Sequence, residues 1–367
     1  MHILKGELPD LFEFTNGDRV QTGQDWHRRR KELRELLLDI EYGHLPPAGE
    51  VSSELLHPHQ CDIGGLRADY STHRLLVEGG EAPFWFTVGL LTAQGGEGRR
   101  PVVVSGDGCW RYVTEAAVAE VLSRGYLLAT FNRTEIVPDA YDSARDSGLY
   151  RVYPGRDFGA LAAWAWGYHR VVDFLRTRQD VDPDRLAVVG HSRGGKTVLL
   201  AGATDERISL TAPNNSGSGG AGCFRWQGED CEKLEDGWRM VPYWYSSRAG
   251  QFVGREEHLP FDQHALKALV APRALLSTEA LGDLWANPSG TYQTHDAARE
   301  VYRFLGAQSR IGIWFREGDH DHGLADWQAF LDFADLQFGR ATPDRRFDEN
   351  PFPEMPRAFG WSAPGNA

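Results

Sequence analysis

The chain has 367 residues, 41% hydrophobic and 11% aromatic, which supplies a core without disulfide or metal support and excludes wholesale disorder. Lys and Arg number 39 against 52 Asp and Glu, a net charge of −13 that argues against nucleic acid and anionic membrane surfaces as partners. Cys61, Cys109, Cys223 and Cys231 have no CxxC spacing and are too few for a disulfide scaffold in a chain this long.

The first thirty residues hold acidic and polar positions throughout and no apolar run of signal-peptide length. The most apolar stretch, ALAAWAWGY at 160–168, is too short to span a bilayer. A soluble, cytoplasmic protein is expected. Residues 26–41 place Trp26, Leu33, Leu37 and Ile40 at helical spacing with charge on the other face, so 1–60 reads as an N-terminal helical extension. THRLLVEG and FWFTVGLL, joined by GGEAP, read as an antiparallel hairpin between 72 and 91.

Beyond GGEGRR, short apolar strands alternate with helices. PVVVSG is followed by a helix over 113–123, YLLATF by a helix over 156–177, and RLAVVG by a helix from 194. In the helix over 156–177, Leu161, Ala165, Tyr168, Val172 and Leu175 form a packing stripe. Strands resume at 208–213, 273–278 and 311–315, and a last amphipathic helix carries Trp327, Phe330, Leu331, Ala334 and Phe338. Such alternation predicts an α/β fold with a mainly parallel central sheet covered by helices on both faces. With no repeat or linker-like break, one domain over 1–367 is expected, carrying an aromatic-rich insert at 216–262 that breaks the periodicity and therefore reads as functional.

Gly190-His191-Ser192-Arg193-Gly194 lies between the strand-like RLAVV and the helix-like GGKTVLLAGA, the context of a nucleophile elbow. Glycines permit the sharp turn, and the serine between them is held with its hydroxyl exposed. Ser192 is thus the candidate nucleophile, and it needs an imidazole base and an acid to fix the base's tautomer. In an α/β-hydrolase both follow later in the chain. His320 in REGDHDHG is the candidate base, with His322 its rival; His295 sits in a helix-like stretch. Asp283 is the candidate acid, and Glu279 after the same strand competes with it. The backbone N–H of Arg193 and one from the loop Ser105–Cys109 are the expected oxyanion donors. That loop lacks the GxGxxG and GK[ST] patterns, so no nucleotide site is expected. His57, His59, Cys61 and the run Asp319–His322 lack ligand spacing, so no metal is expected.

GHSRGGKTVLLAGATDERI, NNSGSGG, LPFDQHALKALVAPRALL, DLWANP, and EGDHD followed by DWQAFLDFAD, with LPDLFEF and YGHLPP near the start, together resemble the glucuronoyl esterase family of carbohydrate esterases, especially its bacterial branch. The resemblance spans most of the chain. It implies a three-layer α/β-hydrolase sandwich and cofactor-free cleavage of esters between a 4-O-methyl-glucuronoyl group on xylan and an alcohol. It further implies Ser192 as nucleophile, His320 as base, an oxyanion role for the Arg193 side chain, sugar contacts from Lys196, and Trp285 closing over the uronic acid. Many members place the triad acid in a Glu-Ser-Gly motif that here begins with Asn215, an amide that cannot take the role, so it passes to Asp283. A family carboxylate near the aromatic insert has no clear counterpart, which reads as a lost substrate contact, although Gln227, Glu229 and Glu232 lie nearby in sequence without a role assigned, and His191 stands where fungal members have a disulfide cysteine. Trp226, Trp238, Tyr243, Trp244 and Tyr245 with Trp285 are expected to form a sugar-facing wall. An acetylxylan-type deacetylase or other small-ester hydrolase is the alternative with the same machinery, and a non-catalytic carbohydrate-binding protein the alternative of another class.

Overall fold

The computed structural model describes residues 3–96, 98–109, 113–140 and 145–365. A capping box in which Thr22 and Asp25 satisfy each other's backbone amides starts α1 (Gly23–Leu37), which runs into a π-helical turn, Leu38–Tyr42. Then come β1 (Glu50–Ile63), β2 (Leu66–Glu78), β3 (Phe84–Ala93), β4 (Arg100–Ser105), α2 (Glu115–Ser123), β5 (Leu127–Phe131), α3 (Ala160–Thr177), β6 (Val181–His191) and α4 (Arg193–Thr204). The chain closes with β7 (Leu210–Asn214), β8 (Ala274–Ala280), α5 (Pro288–Phe304), β9 (Ile311–Arg316) and α6 (Leu324–Gln337).

These strands form a nine-stranded sheet ordered β9-β8-β7-β6-β4-β5-β3-β2-β1. It is parallel from β9 to β5 and antiparallel from there to β1. Helices α3 and α4 share one apolar core with Val102, Val104, Leu186 and Val188, while α2 and α6 share another with Val103, Leu128, Ala187 and Val189. Because successive residues of a strand face opposite ways, each buried strand feeds both layers and reads as a continuous apolar run. This is the expected three-layer arrangement. Among the described residues, no helix is long and apolar enough to cross a membrane.

The expected stripe of α3 is buried, and so is nearly all the rest of the helix. It starts at Ala160 rather than 156 because Gly159 abuts the insert: a Cβ there would lie 2.2 Å from the Trp244 carbonyl. Residues 1–60 are not wholly helical. From Glu50 the chain is the edge strand β1, mostly exposed, with a register shift between Leu55 and His57. Pro58 is tolerated there because an edge strand need not donate on its outer side. Exposure on both faces removes the apolar alternation that would mark such a strand in sequence.

In the π-helical turn, Glu41 is buried and both its oxygens accept from Gln263 Nε2 at 2.9 Å. The adjacent Tyr42 hydroxyl donates to the Gly219 carbonyl at 3.0 Å. Burial pushes the Glu41 carboxyl up to about 8. A carboxyl raised on folding favours the native state below its unfolded value of roughly 4.3, and that contribution is lost as pH rises through the folded value. Glu41→Gln is therefore expected to flatten the fall in stability between about pH 4.5 and 8, measured by chemical denaturation across that range. An unchanged slope would show that Glu41 is ionised in the native state.

Candidate active site

At the C-terminal end of β6 the backbone turns through Ser192, whose φ of 56° is the left-handed region. Glycine is required on either side. A Cβ on Gly190 would lie 2.5 Å from the Gly194 carbonyl, and one on Gly194 would lie 2.0 Å from Asp107 Oδ1. The Asp107 carboxylate accepts the His191 N–H at 2.8 Å and pairs with the buried Arg133, while the Ser192 N–H donates to the Asn214 carbonyl at 2.9 Å. The elbow is thus held by an ion pair on one side and β7 on the other.

His320 sits in the loop after β9, and its Nδ1 lies 2.5 Å from Asp283 Oδ2 in the loop after β8. The structure thereby separates the competing acids. Asp283 is almost wholly buried and touches His320, whereas Glu279 lies beneath it in the core with no exposed surface. Burial pushes the Glu279 carboxyl well up, against the pull of Lys267, whose ammonium burial pushes down to about 7. His322 stacks on Trp327, ring centroids 5.1 Å apart. His295 is in α5, as expected from its surroundings.

Asn215 (φ 41°) does not contact an imidazole. Its amide nitrogen donates to the Asp321 carbonyl at 3.1 Å and its oxygen accepts the Ala280 N–H at 2.8 Å, tying the loops that carry His320 and Asp283. Arg316 supports the same loop, donating to the Asp321 carbonyl at 2.7 Å while Asp326 holds its Nε at 2.9 Å. Beneath, the His191 ring packs on His320 at 4.5 Å between centroids. Asn214 spends its amide hydrogens on Thr278 Oγ1 (2.8 Å) and Asp326 Oδ1 (3.1 Å), so its oxygen meets His191 Nδ1 at 2.6 Å and that nitrogen carries the proton.

Ser192 and His320 line a cavity of ≈ 280 Å³ with Arg193, Lys196, Glu232, Trp244 and Trp285. Lys196 Nζ donates to Glu232 Oε2 at 2.6 Å and to the Ser218 carbonyl, beside the Trp244 ring. The apparent loss of a carboxylate is thus corrected: Glu232 supplies one. Sequence spacing does not mark it, because it stands 36 residues from its lysine. The Arg193 guanidinium lies over Trp244 and donates to Asp139 at 2.8 Å; Asp139 also accepts from Tyr243 Oη (2.8 Å) and Trp244 Nε1 (3.0 Å). Burial opposes the Asp139 charge, but Arg193 and these donors hold its carboxyl below the ordinary value. Asp139 was not singled out by sequence either, since it lies far from every motif.

Two expectations are corrected. Only Trp244 and Trp285 of the aromatic wall line the cavity. Tyr245 is buried, Trp238 packs on Gly250, and Trp226 is buried with its Nε1 on Ser289 at 3.1 Å. The Ser105–Cys109 loop contributes no lining to this cavity, and two of its amides point inward, Gly106 to the Tyr168 hydroxyl (2.6 Å) and Gly108 to the Phe131 carbonyl (3.2 Å). Among the described residues no cluster of three or more His, Cys, Asp or Glu could hold a metal ion.

A family model described as glucuronyl esterase of fungi matches residues 76–306. The chain belongs to the glucuronoyl esterase family. A 4-O-methyl-glucuronoyl methylesterase from Podospora anserina is 35% identical over 86% of this chain and 64% of its own length. A carbohydrate esterase from an unidentified prokaryote is 36% identical over 59% of this chain and 55% of that protein, so the chain spans less than two thirds of either relative. Among solved structures, a family 15 glucuronoyl esterase from Caldicellulosiruptor kristjansonii superposes with a TM-score of 0.86 at 30% identity, covering 97% of this chain and 96% of that one.

Lys196 and Glu232 side chains are 3% and 8% exposed, so each is the other's charge compensation. Lys196→Met, which leaves the carboxylate buried without its partner, is expected to cost about 3–5 kcal/mol of stability. The double change Lys196→Met with Glu232→Gln should recover much of it, as read by urea unfolding; equal losses in both would show that the pair does not compensate.

Proposed function

We propose that the protein is a serine carboxylic ester hydrolase acting on a carbohydrate-linked ester, specifically a 4-O-methyl-glucuronoyl ester of a xylan-type chain. The observation that carries this reading is the His320–Asp283 contact beside an elbow serine, in a cavity whose far wall is a lysine–carboxylate pair under a tryptophan. Its similarity to 4-O-methyl-glucuronoyl methylesterases supports the same substrate class.

In this mechanism Ser192 Oγ attacks the ester carbonyl while His320 Nε2 takes its proton. Asp283, on Nδ1, fixes the tautomer and stabilises the imidazolium that forms. The tetrahedral oxyanion is met by the backbone N–H of Arg193 at the first position of α4, where the helix dipole adds to it, and by the Arg193 guanidinium that Asp139 orients. His320 returns the proton to the departing alcohol, leaving a uronoyl ester on Ser192. Water then repeats the steps with His320 as base and releases the uronic acid. Lys196 and Glu232 offer a donor and an acceptor to the sugar ring hydroxyls, and Trp285, 44% exposed, stands at the rim where it can cover a bound ring.

Benzyl glucuronate and 4-nitrophenyl acetate separate the readings. Higher kcat/KM on the uronate is expected, with Ser192→Ala lowering kcat by about 10⁶ at an unchanged melting temperature. Preference for acetate would favour a small-ester hydrolase. Sugar binding in calorimetry without turnover of either ester would favour the non-catalytic reading, and undiminished activity in Ser192→Ala would contradict the mechanism.

A further inference from the structure

The antiparallel half of the sheet has a second face that the catalytic cavity does not use. In β3, Phe84, Phe86, Val88 and Leu90 are buried in the core, so alternation puts Trp85, Thr87 and Gly89 on the other side. The register sets Arg74 of β2 opposite Thr87 and Thr72 opposite Gly89, while Thr130 of β5 flanks Gly89 from the far side. Tyr70, Thr72, Thr87, Gly89, Thr130 and Glu135 line a groove of ≈ 320 Å³ on this face.

Its construction is specific. A Cβ on Gly89 would lie 2.8 Å from the Tyr70 hydroxyl and 3.2 Å from Thr130 Oγ1, so the glycine leaves both hydroxyls reachable from the groove. The Glu135 carboxylate is fixed by the Thr87 N–H at 3.0 Å and its hydroxyl at 2.9 Å. On the same face of β3, Trp85 is 55% exposed and braced by the Arg74 guanidinium 5.2 Å from its ring. The indole is thereby held as a fixed apolar surface next to the groove.

The geometry points to a second carbohydrate-binding site on this face, taking an unsubstituted segment of a neutral β-linked sugar chain. Charge selects the occupant. The described groove lining carries the Glu135 carboxylate and no Lys, Arg or His, and Arg74, the cation beside Trp85, is paired with Glu54 at 3.0 Å, so an anionic ligand gains little, while the hydroxyls and the apolar lining of Leu91, Leu128 and Phe131 suit the mixed surface of a sugar. The ring of Trp85 offers an apolar face to the C–H face of a sugar. The groove shares no lining residue with the catalytic cavity, but its lining reaches Gly108 and Asn132 at the strand ends, and Asn132 pairs with Asp107, whose carboxylate holds the elbow. A chain held on the sheet would keep its ester-bearing side groups near the catalytic rim, raising their effective concentration without new contacts to the reacting atoms. This inference rests on the polysaccharide reading of the function.

Xylohexaose binding is measured by calorimetry on the full chain carrying Ser192→Ala, then with Trp85→Ala or Gly89→Val added. Trp85 is exposed and its variant should keep the parent's circular dichroism; valine suits a strand but must displace the Tyr70 ring, whose hydroxyl would lie 2.8 Å from its Cβ, so that variant is read only where its circular dichroism and melting temperature match the parent's. Each is expected to weaken binding about tenfold, the loss of one aromatic contact of roughly 1.4 kcal/mol. In the active protein, the same changes should raise KM on polymeric glucuronoxylan ester several-fold with kcat unchanged, and leave benzyl glucuronate kinetics untouched. Folded variants that bind xylohexaose as the parent does, or a parent that does not bind it, would overturn the site. Benzyl glucuronate turnover reports on the proposed function separately, so the failure of one is distinguishable from the failure of the other.

Discussion

Everything in the proposed chemistry depends on one contact, the carboxylate of Asp283 against Nδ1 of His320. A serine hydroxyl is nearly inert at neutral pH, and an imidazole helps it only in one tautomer and one orientation. The fold brings the partners together through parallel pairing: β8 and β9 are neighbours in register up to Ala280 and Arg316, so their following loops emerge side by side. The elbow leaves β6 on the same edge of the sheet, with β7 between. Side chains far apart in sequence thus meet at the C-terminal rim, the usual ligand-binding edge of an open α/β sheet.

Holding that contact engages a second layer of polar groups. Asn215 ties both loops, Arg316 and Asp326 hold the histidine loop from below, and His191 packs tilted against His320 and stacks on His322. An asparagine at 215 cannot balance an imidazolium charge, but its amide makes two backbone bonds that a carboxylate could not make together, because one of them requires a donor. In the proposed triad this position is structural, and the acid stands one strand further along. His191, inside the elbow, braces the histidine loop through its ring, stacked on His322 at 5.7 Å between centroids.

Much of this was legible in the sequence because it is local. Gly-His-Ser-Arg-Gly between an apolar run and a helix is a turn that only such residues permit, and the order of acid and histidine after later strands follows from the parallel topology. What escaped reading is non-local or lacks periodicity. Glu232 and Asp139 act on Lys196 and Arg193 across long stretches of chain: Glu232 is one of several polar residues near the insert with nothing local to single it out, and Asp139 lies far from every motif. The edge strand β1 has no buried face to impose alternation, so its residues were absorbed into the helical extension. The aromatic insert was over-read, since hydrophobic size alone does not distinguish a side chain that lines a cavity, such as Trp244, from one that fills a core, such as Tyr245.

The most direct measurement compares kcat of Asp283→Asn, Glu279→Gln and the parent on one uronate ester. If Asp283 orients and charges the pair with His320, its amide lowers kcat by about 10⁴. Glu279, whose carboxyl burial pushes well up and which makes no hydrogen bond to His320, should tolerate the amide with kcat almost unchanged. A large loss in Glu279→Gln beside a small one in Asp283→Asn would contradict the assignment of the acid.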